Sequence, residues 1–186
     1  VLRNRRTGGI AGGVRLVLAD PDDVTRPFPT EVAAAHYFDP KKINSAKLPR
    51  RRTAEISRLI IPKSVPAGGS TQQHRPAAFP FPVLGLLAGV IRLSSEQGVT
   101  HIYALMEPLL NRLLRRFSLH FDPVAPVIDY HGMRQAHLSI LADVMVRTFR
   151  ERKEVWDLLT DRGRFLPPGH PAVPLVEDQL PLRQIS

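Results

Sequence analysis

At 186 residues the chain is long enough for one domain with a substantial core. Its 26 lysines and arginines outnumber 17 acidic residues, a net charge of +9 that favours acidic partners or anionic surfaces. The absence of cysteine excludes disulfides, thiolate metal sites and a cysteine nucleophile, and fits a reducing, cytoplasmic location. No stretch approaches the roughly 18 consecutive apolar residues of a membrane span.

The chain opens on Val1 and on strand-like residues, so we expect it to begin inside a domain. Residues 1–6 and 13–19 flank Thr7-Gly8-Gly9 and predict a hairpin. From Asp20 to Lys47 four prolines break regularity, leaving a short helix over Thr30–His36 with Thr30 as its N-cap. A strand over 54–61 follows Arg50-Arg51-Arg52, and residues 62–82 form a long Pro/Gly-rich loop. Leu84, Leu87, Val90 and Ile91 have helical spacing and predict a helix from Pro82 or Val83 to Gln97, closed by Gly98. Residues 101–106 read as a strand, and Pro108 opens a helix reaching Phe117. Strands are predicted over 119–122, 126–130 and 135–140, then one helix over 143–161 with Trp156 on its apolar side. The expected domain spans 1–165, and the Pro-rich residues 166–186 form a tail.

Two of these strands carry charge where burial is expected: Gly12-Gly13-Val14-Arg15-Leu16-Val17-Leu18 and Glu55-Ile56-Ser57-Arg58-Leu59-Ile60-Ile61. A buried charge is costly unless paired, so Arg15, Glu55 and Arg58 form either a structural ion-pair network or an active site. Glu55 is the only carboxylate of its strand and the candidate base. Burial and neighbouring cations would pull its pKa in opposite directions. Its odd spacing from Arg58 puts the two on opposite faces unless a β-bulge intervenes. Arg15 is expected to pair with Glu55 or to bind a substrate carboxylate. The seven histidines show no metal-ligand spacing, Gly-x-Ser-x-Gly is absent, and no zinc-finger, helix-turn-helix or base-stacking pattern appears. No metal and no nucleic-acid partner are therefore expected.

"GGVRLVL" followed by "EISRLII" resembles the paired strands of the acyl-homoserine-lactone autoinducer synthases. With Met106-Glu107-Pro108, Leu113-Leu114-Arg115-Arg116 and Tyr130-His131-Gly132-Met133-Arg134, the pattern is similar to the long-chain N-acyl amino acid synthases and the PEP-CTERM/exosortase-associated acyltransferases. The resemblance covers about residues 1–165. It implies an α/β fold of the GNAT (N-acetyltransferase) type: a mixed central sheet flanked by helices, splayed between strands 54–61 and 101–106, with a bulge in the former. It also implies that an N-terminal part of the domain is missing, which puts the activity of this chain in question.

The implied activity is transfer of a fatty acyl group from a carrier thioester to the amine of an amino acid or similar small molecule. Glu55, Arg58 and Arg15 are the expected catalytic group. Ser57, Phe79, Phe81, Tyr103, Glu107, Tyr130 and Arg134 are candidates for substrate and acyl contacts, with Leu84 and Leu87 in the same apolar set. Structural roles compete at several of these: core for the aromatics, helix capping for Glu107, hairpin support for Tyr130 and Arg134. No tightly bound cofactor is expected, the co-substrate being an acyl-phosphopantetheine thioester. The loop after strand 54–61 lacks a compact Gly-x-Gly beside its helix, which favours acyl carrier protein over acyl-CoA. Arg50, Arg51, Arg52, Lys63 and Arg75 are the expected carrier contacts. The rival readings are a non-catalytic basic binding module for nucleic acid or an anionic surface, and an inactive fragment of a synthase.

Overall fold

The computed structural model describes residues 1–62 and 80–171, the side chains of Pro80 and Phe81 excepted. Strand β1 (Leu2–Arg3) turns back through Gly8 (φ +70°) into β2 (Ile10–Leu18), as the Gly-rich turn predicts. Helix α1 (Pro29–Ala34) precedes β3 (Thr53–Ile60), α2 (Pro80–Glu96), β4 (His101–Met106) and α3 (Pro108–Arg115). The hairpin β5 (Pro123–Asp129) and β6 (Met133–Ile140) leads into α4 (Leu141–Glu151) and α5 (Lys153–Thr160). The six strands make one mixed sheet in the order β1-β2-β3-β4-β6-β5, with β3 and β4 parallel and the other pairs antiparallel.

Local chemistry explains most boundaries. The prolines of α2 lie in its first turn, where no N–H is needed. Gly98, at φ +67°, closes the helix by letting the Val99 N–H reach the Ser94 carbonyl at 2.8 Å. Helix α3 begins with Glu107 at the N-cap and Pro108 behind it. Three expectations are corrected. Phe28, not Thr30, caps α1. Residues 119–122 form no strand, and the strand expected over 126–130 is β5, which starts earlier, at Pro123. The helix expected over 143–161 breaks at Arg152 (φ −149°, ψ 70°), so that α5 packs against α2 with Val155, Trp156 and Leu159 in the core.

Alternation along the strands sorts side chains into two cores. Ala54, Ile102, Ala104 and Met106 face the larger one, filled by α2, α4 and α5. Tyr103 and Ala136 face the smaller one, beneath α1 and the segment that follows it, with Phe28 and Ile43. Inside the fold, His137 Nε2 lies 3.0 Å from the Asn111 side-chain nitrogen; His137 Nδ1 and Asn111 Oδ1 have no partner among the described residues. Burial pushes the His137 imidazole below its ordinary pKa of 6.5. Its stabilising contribution is complete above that value and is lost as pH falls through the lowered, folded value. Replacing His137 and Asn111 together by leucine should therefore flatten the loss of stability between about pH 7 and pH 5 in denaturant titrations. An unchanged slope would assign that loss to other groups.

Candidate active site

The sheet opens where the β3–β4 ladder stops. The last paired residues are Ile56 and Ala104. Beyond them β3 pairs only with β2, and Leu105 and Met106 pair with β6. The gap is a cleft of about 820 Å³, a size suited to a small-molecule ligand. Val83 and Leu87 of α2, Leu110 and Leu114 of α3, and Phe121 give it an apolar interior. Arg15, Glu55, Arg58, Glu107, Arg112 and Arg134 supply charge along its walls.

Arg58 stands at a β-bulge. The register shifts between Gly13 and Arg15 of β2, one extra β3 residue falls between Ser57 and Ile60, and Arg58 adopts φ +53°. The bulge brings Arg58 and Glu55 to the same cleft despite their odd spacing. Only Glu55 is buried, however, at 3 % exposure; Arg15 and Arg58 are exposed. The expected salt bridge from Arg15 to Glu55 is not formed. The Arg15 guanidinium donates to Ser57 Oγ at 3.0 Å, directly across the β2–β3 pair. The Glu55 carboxylate instead accepts the backbone N–H of Thr30, in the first turn of α1, at 2.7 Å. Exposed guanidinium groups stay hydrated, and a backbone amide meets the buried carboxylate. Burial pushes the Glu55 carboxyl above its ordinary pKa. The Thr30 hydrogen bonding and the Arg15 charge oppose that shift, and the neighbouring Glu31 charge adds to it.

The other expected site residues divide. Ser57, Glu107, Tyr130 and Arg134 line the cleft. Glu107 sits at the N-cap of α3 without a side-chain cap hydrogen bond; its carboxylate pairs with Arg134 across the cleft mouth. Tyr130 lies in the β5–β6 turn, edge-on to His131 at 4.8 Å. Tyr103 does not reach the cleft. It is fully buried in the smaller core against Phe28 and Phe38, at a position where the β3–β4 ladder is still closed, opposite Glu55. Leu84 is likewise core; Leu87 belongs to the same buried cluster and also lines the cleft. Arg50 is unavailable to a carrier, since its guanidinium is held by Glu31 at 2.6 Å. Arg51 and Arg52 are exposed. Lys63, Arg75, Phe79 and the side chain of Phe81 lie outside the described residues. Reading the sequence alone missed Thr30 as the donor to Glu55 and missed Glu31 altogether. A proline-flanked Phe28 with an acidic residue three positions on was the available signal.

No protein-family profile and no curated protein matches the sequence. Solved structures match in fold. TofI, solved in a ternary complex with an inhibitor and MTA, superposes with a TM-score of 0.53 and 19% identity, over 83% of this chain and 66% of TofI. BjaI, a CoA-dependent acyl-homoserine lactone synthase solved with SAM and isopentyl-CoA, gives 0.51 and 18%, over 83% of this chain and 59% of BjaI. FeeM, an N-acyl amino acid synthase from uncultured soil microbes, gives 0.55 and 11%, over 78% of this chain and 70% of FeeM. The chain therefore has the GNAT-like fold of acyl-transferring synthases, with a six-stranded mixed sheet and flanking helices. It spans about 59% to 70% of the length of these three proteins. Among the described residues no helix is long and apolar enough to cross a membrane.

Proposed function

We propose that the protein is an N-acyltransferase that moves a fatty acyl group from a phosphopantetheine thioester to the amine of an amino acid or similar small molecule. The observation that carries this reading is one buried carboxylate, Glu55, at a cleft whose interior is apolar and whose walls are rich in arginine. A basic binding module has no use for a carboxylate placed at such a cleft. Glu55 accepts a proton from the incoming ammonium, a task that its burial-raised pKa favours. The freed amine attacks the thioester carbonyl, the C–N bond forms, the C–S bond breaks, and the departing thiolate takes up the second amine proton. Arg15 and Arg58 are suited to an acceptor carboxylate, which guanidinium groups bind bidentately. The apolar interior takes the acyl chain.

Acyl carrier protein is the favoured donor, with Arg51 and Arg52 as its contacts. Mass spectrometry of reactions containing acyl carrier protein or CoA thioesters and a panel of amino acids tests the activity, and an N-acyl product is expected. BjaI is a CoA-dependent enzyme, so both donors belong in the assay. Reversing Arg51 and Arg52 to glutamate should slow turnover with the carrier about tenfold or more at low salt and flatten its salt dependence. Turnover with acyl-CoA should stay unchanged. Failure to form an amide with any thioester and amine would refute the assignment, and faster turnover with CoA would refute the choice of donor.

A further inference from the structure

Behind the cleft, one buried carboxylate organises the approach to α1. Glu31 lies in the first turn, beside Thr30, and its side chain is 8% exposed. Its carboxylate accepts the Phe28 N–H at 2.8 Å and the Tyr103 hydroxyl at 3.2 Å. Arg50 Nη1 donates to both carboxylate oxygens, at 2.6 and 2.8 Å. The same guanidinium donates to the Val24 carbonyl at 3.2 Å and to the Arg26 carbonyl at 2.7 Å, and its plane lies over the Phe28 ring, 4.6 Å from the centroid. One arginine thus holds residues 24, 26, 28 and 31 together. The peptide it fixes is the one whose Thr30 N–H meets Glu55.

We propose that Arg50 and Glu31 are positioning residues for Glu55: their ion pair clamps the first turn of α1 so that the Thr30 N–H stays on the cleft carboxylate. The functional consequence rests on Glu55 being the base. A six-residue helix beginning at a proline has few hydrogen bonds of its own, so its first turn depends on outside contacts. The Glu31 side chain supplies one by accepting the N–H of the N-cap residue, and Arg50 neutralises the charge so introduced. That neutralisation matters at Glu55, because the Glu31 charge favours its protonated form. The other groups facing Glu55 are Arg15 from β2, Tyr103 from the paired position of β4, and Arg58 across the bulge of β3.

The two charges alone predict shifts of opposite sign for loss of Arg50 and of Glu31, whereas the clamp predicts a rise even when the charge at position 50 is kept. Arg50→Met leaves Glu31 uncompensated and loosens the turn, so the Glu55 titration midpoint rises. Glu31→Gln keeps an acceptor for the Phe28 N–H but removes the negative charge, so the midpoint falls. Arg50→Lys restores the charge without the guanidinium's shared contacts and should lie between Arg50→Met and the native protein. Carbon-detected NMR titration of the labelled Glu55 carboxyl reads these midpoints without substrate, and circular dichroism establishes folding. In the acyl-transfer assay, Arg50→Lys should lower kcat, by up to ~100-fold, with KM for the thioester little changed. No rise in folded Arg50→Lys, which keeps the charge but loses the shared contacts, overturns the proposal. A raised midpoint in Arg50→Lys, in a protein without acyl-transfer activity, would support the clamp and refute the enzymatic reading.

Discussion

Glu55→Gln should lower kcat for amide formation by about 10²–10⁴-fold while the protein stays folded. The glutamine carbonyl can still accept the Thr30 N–H, so the contact between β3 and α1 survives. The substitution removes the group that takes the ammonium proton and, with it, the cost of keeping a charge buried. The sign of the stability change follows from the raised pKa. The native carboxyl contributes most below its unfolded value and loses that contribution as pH rises through its folded value. The glutamine variant should thus gain stability relative to the native protein as pH rises. Rates with a panel of amines and denaturant unfolding across pH check both parts. Turnover near the native level with an unchanged pH profile would leave Glu55 as a structural acceptor for Thr30.

Leu87→Trp should shorten the acyl chain that the cleft accepts. Leu87 reaches the cleft from α2, so a larger side chain fills apolar space that the strands leave open. Each methylene excluded from the cleft forfeits about 0.8 kcal/mol. Loss of four carbons of chain therefore costs roughly 3 kcal/mol, on the order of 100-fold in kcat/KM for long donors, with short donors nearly unaffected. A series of saturated thioesters measured against both proteins separates this effect from a general loss of activity. Equal losses at every chain length would place the acyl group elsewhere. Leu87 belongs to the larger core as well as to the cleft wall, so thermal unfolding of the variant separates an overpacking cost from the chain-length effect.

The sequence by itself determined most of the punctuation of the chain and, up to Phe117, the order of its strands and helices. The hairpin before Leu18, strand 101–106, the helix closed by Gly98 and the Pro108 helix start all follow from local patterns of apolar residues, glycine and proline. The motif resemblance anticipated the splayed sheet and the bulge in β3, which appears at Arg58. Tertiary structure decided how the charges are used. Glu55 meets an amide 25 residues away, and Arg50 meets a carboxylate 19 residues away; no spacing rule encodes such partners. Tyr103 left the expected pocket because the face that opens is set by where the β3–β4 ladder ends, a property of two strands together. The break at Arg152 likewise depends on packing: α5 covers α2 only after the chain turns, and that contact lies beyond the reach of helical periodicity.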